Sequence, residues 1–346
     1  MRACLFKVLI CLTVILSVSG CKRKSQAGNE KNFFPENEFS GPVLGFSIDT
    51  LALERWQRDL DTFISTAANL GAEVIVQNSG NNSSEQNKQL LYLASQNVDC
   101  VVVLPADSKP IKEGLERLRN QNIPVISYDR LILDADVSLY MTIDSEKVGY
   151  LMGSKMRAIT PKTSWALILG SPDDYNMEMI GQGLWNALKS SEIVFCDTFY
   201  TLGWNYDLSR QHAFDLITGG IIPDAIICGN DAVAESVIGV LDSHVKKHIP
   251  ICGQDADIVA CQNIVKGKQD FTIYKPINRL AELTAEYAVK LAKGVSVDSL
   301  VPEDSYIDNH FKKVPCVKLE PVVVDKNNID SVIIDSGFHT YNEVYE

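Results

Sequence analysis

The sequence predicts an α/β protein built from two successive doubly wound parallel sheets. Three observations carry that prediction. Short apolar runs alternate with amphipathic, helix-patterned stretches, the order that gives parallel strands with helices on both faces. The alternation restarts at about residue 164, so a single sheet does not account for it. Polar residues collect where the apolar runs end: Asp49, Asp129, Arg130, Asp174, Asn230, Asp231, Asp255 and Lys275. Ligands of open α/β sheets bind outside those carboxyl ends.

The elements follow in order. PVLGFSID (42–49) reads as a strand. ERWQRDLDTFISTAANLG (54–71) has a helical apolar stripe and stops at Gly71, a residue suited to the left-handed end of a helix. AEVIVQNS (72–79) is a strand, SEQNKQLLYLASQN (84–97) a helix, VDCVVVLP (98–105) a strand, IKEGLERLRNQN (111–122) a helix and IPVISYDR (123–130) a strand. In the second half SWALILGSP (164–172), EIVFCDTFY (192–200), PDAIICGND (223–231), IPICGQDA (249–256) and DFTIYKP (270–276) are strands. Helices are expected between and after them, over about 176–190, 206–218, 232–246, 257–266 and 277–293. Periodicity alone divides the chain once, near residue 150.

The N-terminus is read apart from the fold. Arg2 and Lys7 flank the apolar run VLICLTVIL, and SVSGC follows. That is the pattern of a signal peptide over residues 1–20, too short to span a bilayer. VSGC resembles a bacterial lipobox, which implies acylation of Cys21 and anchoring through several acyl chains. Residues 21–40 are polar and read as a flexible, lipidated tether. The body is then expected outside the cytoplasm, held at a membrane it does not cross.

The 346 residues carry a formal charge of −12, and about −14 without the leader, which is no footprint for nucleic acid. Of nine cysteines, Cys100, Cys196, Cys228, Cys252, Cys261 and Cys316 lie in the body, none at metal-ligand spacing. They are expected as free, buried thiols, with one disulfide left open by the exported setting. No nucleophile elbow, zinc-protease or phosphate-loop motif occurs; GQGLWN (181–186) is a partial glycine fingerprint inside a helix and lacks the third glycine. An enzyme is therefore not expected, nor a cofactor or metal.

Taken together, ERWQRD, ISYDR, GSP, GW, GNDA, GQDAD, YKP and DKNNIDSVIIDSGFH, in that order over about residues 43–339, closely resemble the D-xylose-binding members of the ribose/galactose type of periplasmic binding protein. The resemblance implies the type I fold of that family: two doubly wound lobes joined by a three-strand hinge. It places the N-terminal lobe at 41–143 plus 277–312 and the C-terminal lobe at 144–276 plus 313–346. It implies a monomer that closes on one monosaccharide, D-xylose, and delivers it to the permease and ATPase subunits of an ABC transporter. Carried over residue by residue, the ligand contacts fall on Arg55, Trp56, Asp129, Arg130, Asn176, Trp204, Asn230, Asp255 and Lys275. Family members tend to carry two asparagines where this chain has Tyr175 and Asn176, which leaves glucose or galactose as the alternative ligand. A sensory receptor would use the same pocket. A sugar-responsive repressor of this fold would need a DNA-binding headpiece before residue 41, where the leader lies.

The chemistry suits a neutral sugar. Carboxylates accept two hydroxyls each, guanidiniums donate in planar forks, amides do both, and indole rings cover C–H faces. Asp255→Ala or Arg130→Ala is expected to weaken binding by about 1.5–3 kcal/mol with the fold kept.

Overall fold

The computed structural model describes residues 40–107, 111–160 and 162–346. The signal peptide, Cys21 and nearly all of the tether lie outside them. Strand β1 (Val43–Ile48), helix α1 (Glu54–Asn69), β2 (Glu73–Asn78), α2 (Ser83–Ser95), β3 (Cys100–Val103), α3 (Lys112–Asn120) and β4 (Val125–Tyr128) follow the sequence reading closely. Helix α1 runs into Gly71 at φ 76°, the left-handed exit that its glycine predicted. Asn82 caps α2 by accepting the Glu85 N–H at 3.0 Å.

Residues 131–163 carry no element in the sequence reading, yet they hold β5 (Leu139–Ile143) and α4 (Ser145–Ile159). The helix signal is weak because Gly149 and Gly153 interrupt it. Their purpose appears on the next hairpin: β6 (Ser164–Leu169) leads to α5 (Tyr175–Leu188), which packs on α4. A Cβ at Gly149 would stand 2.0 Å from the Ile180 carbonyl oxygen, and one at Gly183 would stand 1.9 Å from the Glu146 carbonyl oxygen. The glycine fingerprint fragment GQGLWN is thus a backbone-to-backbone helix crossing. Gly183→Ala is expected to cost about 1–3 kcal/mol by overpacking, despite alanine's better helix propensity, and urea unfolding measures it.

The chain continues through β7 (Val194–Tyr200), α6 (Tyr206–Thr218), β8 (Ala225–Cys228), α7 (Asp231–His244), β9 (Ile251–Cys252), α8 (Ile258–Lys266), β10 (Phe271–Tyr274) and α9 (Ile277–Ala292). Strand β9 is shorter than the sequence suggests. Asp255 and Ala256 have φ of 102° and 57°, so the chain has already left the sheet. The last strands are β11 (Tyr306–Asp308), β12 (Lys313–Leu319) and β13 (Val322–Asp325), and α10 (Tyr341–Tyr345) ends the chain.

Two sheets result. The first has the order β11-β12-β5-β4-β3-β1-β2, the second β13-β10-β9-β8-β6-β7. Both are parallel except where β11 and β13 pair antiparallel at an edge. Alternate residues of one strand feed different cores, as strands buried on both faces require. In β3, Cys100 and Val102 face the layer of α1 and α9, while Val101 and Val103 face that of α2 and α3. In β6, Trp165, Leu167 and Leu169 divide in the same way from Ala166 and Ile168.

The chain crosses between sheets three times: after β5, after β10 and after β12. One expected boundary moves. Ending the first lobe at residue 312 would put 313–319 in the second, but β12 pairs with β5, Cys316 opposite Tyr140, and belongs to the first sheet. The third crossing therefore lies at about residues 320–321. All six body cysteines are free; five are buried, and Cys196 on edge strand β7 is exposed. No helix among the described residues is long and apolar enough to cross a membrane.

Candidate functional site

The carboxyl ends of both sheets meet at one cavity, of about 520 Å³ between atoms with its mouth included. Its walls hold all nine residues that the sequence singled out: Arg55, Trp56, Asp129, Arg130, Asn176, Trp204, Asn230, Asp255 and Lys275. They sit at strand ends and helix starts. Arg55 and Trp56 are in the first turn of α1, Asp129 and Arg130 follow β4, and Asn176 opens α5. Trp204 is in a 3₁₀ turn after β7, Asn230 caps α7, Asp255 follows β9 and Lys275 follows β10.

Each side chain is held from behind. Asp129 has φ 61°, a left-handed backbone that a non-glycine residue adopts only when its surroundings hold it. The surroundings are two hydroxyls of β5: Tyr140 Oη and Thr142 Oγ1 both donate to the Asp129 carbonyl at 2.8 Å. Arg130 donates through Nε to Asp174 Oδ2 at 2.8 Å, through Nη1 to the Pro105 carbonyl at 3.0 Å, and through Nη1 to Asp49. Asp174 also caps α5, accepting the Asn176 N–H at 3.0 Å on its other oxygen. Asn230 Oδ1 accepts the Val233 N–H at 2.9 Å, and its Nδ2 lies 3.4 Å from Tyr206 Oη.

The lobes are in direct contact across the cavity. Arg55 pairs with Asp129 of its own lobe through Nη2 and reaches Asp255 of the other through Nη1 at 3.4 Å. Asn176 Nδ2 crosses to Asp129 Oδ1 at 2.9 Å, and Lys275 Nζ lies 2.9 Å from Asp255 Oδ1. The Arg130–Asp174 pair is a third bridge. This is a closed arrangement, and every bridge is charged or amide, so it can rearrange around hydroxyls.

The two indoles differ. Trp56 is 3% exposed, with the guanidinium carbons of Arg55 and Arg130 at 4.3 and 5.4 Å from its ring centroid. It works as a cation–π spacer between the arginines. Trp204 lies flat against the backbone of Gly170, where a Cβ would come within 2.1 Å of the ring.

Carboxylates outnumber cations on the wall, with Glu54, Asp129, Asp174, Asp255 and Asp257 against Arg55, Arg130 and Lys275. Burial disfavours ionised Asp129, but Arg55, Lys275 and Arg130 outweigh it and hold the carboxyl below the usual carboxylate range. Burial pushes Asp257 up to about 7, helped by the charges of Asp255 and Glu54. Behind the wall, burial pushes Asp59 up to about 7 against the pull of Arg55. Asp59 Oδ2 accepts from Tyr128 Oη at 2.9 Å, while its buried Oδ1 has no partner among the described residues. A carboxyl with a raised folded pKa holds its proton more tightly when folded. Its contribution is full below the unfolded value of 3.8 and is lost as pH rises through about 7. Asp59→Asn is expected to remove that loss, so the variant gains about 2 kcal/mol on the native protein between about pH 5 and pH 8. Denaturant unfolding of both proteins at each pH isolates the Asp59 share, because Asp257 and His339 titrate in both.

Sequence reading missed several wall residues and misplaced others. Glu54, Gln254 and Asp257 line the cavity without having been singled out; all lie within or beside recognised motifs, and that adjacency was the available signal, while Asp174, one of the strand-end acids, lines it too. Asp231, one of the strand-end acids, turns away from the cavity and accepts from Thr272 Oγ1 at 2.8–2.9 Å and Gln269 Nε2 at 2.9 Å. Asp49 stands behind Arg130. Tyr175 packs against the apolar cluster of the first lobe and is not among the residues lining the cavity. Among the described residues, no group of three His, Cys, Asp or Glu could hold a metal ion.

Two lobes closing on a polar cavity define a binding protein, and the chain belongs to the periplasmic binding protein family: residues 44–296 match the model of the periplasmic binding protein domain. Over 308 residues it is 34% identical to the D-xylose-binding periplasmic protein of Haemophilus influenzae, covering 87% of this chain and 92% of that protein. The D-xylose-binding periplasmic protein of Escherichia coli is 34% identical over 307 residues, with the same coverage. Among solved structures, an ABC transporter solute-binding protein of Clostridium phytofermentans with bound β-D-glucose superposes with a TM-score of 0.81. It is 27% identical, and the match covers 87% of this chain and 99% of that one. These relatives and neighbours are binding proteins rather than enzymes, as the sequence reading expects of this chain.

Proposed function

We propose that this protein is the extracytoplasmic, sugar-binding component of an ABC importer, and that its ligand is D-xylose. One observation carries the reading: the nine residues onto which the family resemblance places the ligand contacts line one closed cavity between two lobes. Asp129, Asp255, Asn176 and Asn230 accept hydroxyl protons; Arg55, Arg130, Lys275 and the amide nitrogens donate; Trp204 covers a C–H face. The excess of acids on the wall disfavours anionic ligands such as sugar phosphates. Walls from both lobes mean that only the closed form makes every contact, so a sugar shifts the open–closed equilibrium by its differential affinity. The closed shape is then what the permease reads. D-xylose is supported by the two relatives at 34% identity. The chain is placed at a membrane by acylation of Cys21 after removal of the leader, a reading that rests on the VSGC motif alone.

A hexose is the second reading, favoured by the glucose-bound structure at TM-score 0.81. A thermal-shift panel separates them, since a ligand that binds only the folded state raises stability by RT ln(1 + [L]/Kd). The protein is stripped of carried-over ligand by unfolding and refolding, then heated with D-xylose, D-glucose, D-galactose, D-ribose, L-arabinose or glycerol. Stabilisation by D-xylose above all others is the expected result. A hexose in first place moves the ligand and keeps the class. For the anchor, labelled palmitate should enter the native protein in cells and not the Cys21→Ala variant.

A further inference from the structure

Outside the cavity a second set of residues joins the lobes. Arg58, on α1 of the first lobe, reaches the C-terminal segment of the second. Its Nη1 donates to the Phe338 carbonyl, and its guanidinium carbon lies 4.4 Å from the Phe338 ring centroid. Its Nη2 lies 3.0 Å from Glu54 Oε1 and 3.5 Å from His339 Nδ1. His339 is 3% exposed, and its Nε2 stands 2.8 Å from the Ala256 carbonyl. These contacts assign the tautomer. Nδ1 faces a guanidinium donor and accepts, so Nε2 carries the proton and donates to Ala256.

That carbonyl belongs to the turn presenting Asp255 to the cavity. Asp255 and Ala256 are both left-handed, at φ 102° and 57°, with no glycine to ease the strain. Two side chains hold the turn: Thr272 Oγ1 accepts the Ala256 N–H at 3.3 Å, and His339 holds its carbonyl. Arg58, in turn, grips His339 and its neighbour from the opposite lobe. None of Arg58, Phe338 and His339 lines the cavity.

We propose that Arg58, Phe338 and His339 form a latch that engages when the lobes close and fixes the Asp255–Ala256 turn in its binding shape. Arg58 and His339 are then positioning residues: they set affinity without touching the ligand. The proposal rests on the reading that the cleft closes over a small ligand. The partners sit on different lobes, so opening breaks the bonds and their whole strength favours the closed state. The Arg58 side chain is 27% exposed, which moderates the effect.

The test has two readouts. Stopped-flow tryptophan fluorescence follows release of D-xylose, using Trp56 and Trp204 in the wall. Small-angle X-ray scattering compares the ligand-free proteins. Arg58→Ala is expected to release D-xylose about three- to tenfold faster and to shift the ligand-free protein toward the open, larger form. His339→Ala is expected to do the same, and His339→Gln, which keeps an N–H for Ala256, to recover most of the loss. The double variant Arg58→Ala/His339→Ala should add little to either single change, because both break one coupled contact. If His339→Ala does not fold, Arg58→Ala decides alone. Release at the native rate together with a native scattering profile in Arg58→Ala overturns the latch and leaves the sugar reading standing. A native protein that binds no sugar sinks the sugar reading instead. Scattering then still decides: a larger Arg58→Ala supports the latch, and identical profiles overturn it.

Discussion

Arg130→Ala is expected to lose about 3–5 kcal/mol of folding stability in addition to its ligand. From sequence alone it reads as a pure affinity variant, and the structure revises that. Arg130 is 5% exposed and is shared between Asp49, Asp174 and the Pro105 carbonyl. Asp49 is 1% exposed and Asp174 7%. Removing the cation strands both carboxylates in a wall where burial already pushes Asp49 up against the pull of Arg130. Part of the cost is relieved when a stranded carboxyl takes up a proton. The discriminating variant is therefore Arg130→Ala/Asp49→Asn/Asp174→Asn. It should regain stability in urea unfolding while sugar affinity stays lost. Arg130→Ala as stable as the native protein would contradict the shared-cation account.

Gly170→Ala is the second large effect, at about ten- to hundredfold in affinity. The added methyl would meet three ring carbons of Trp204 at 2.1, 2.4 and 2.6 Å. The backbone at 170 cannot retreat: Gly229 packs so closely behind it that a Cβ there would stand 2.2 Å from the Gly170 nitrogen. The ring must leave its seat, and with it goes the flat surface proposed for the sugar's C–H face. Calorimetry should find Gly170→Ala and Trp204→Ala similarly weakened. Native affinity in Gly170→Ala would show that Trp204 is no platform.

The strands buried on both faces were the most legible part of the fold. Residues such as Cys100–Val103 are apolar throughout and bounded by helix patterns, and nothing competes with that signal. Elements whose local sequence serves a neighbour were the least legible. Gly149 and Gly153 weaken the helical signal of α4 because α5 needs the room. Strand β12 follows the second-lobe elements and a long helix, yet it pairs with β5, a non-local choice that no local pattern encodes. The site divides in the same way. Position at a strand end located Asp129, Arg130, Asn230 and Asp255 because the α/β fold dictates where such ends point. Orientation was not legible: Asp231 sits beside Asn230 and turns into the second lobe, toward Thr272 and Gln269. Trp56 and Tyr175 have the same limit. The first is taken up by two arginines and the second by the apolar cluster of the other lobe, contacts set by tertiary packing.

The central claim is that one monosaccharide binds between the lobes on these side chains. Isothermal titration of the ligand-stripped protein with D-xylose tests it most directly, run beside Asp255→Asn, which keeps the size of a side chain that bridges Lys275 and Arg55. The account predicts one saturable site in the native protein and an affinity about ten- to hundredfold lower in the variant, the loss of a charged hydrogen bond. No heat from D-xylose or from any sugar of the panel, or equal affinity in the two proteins, would contradict it.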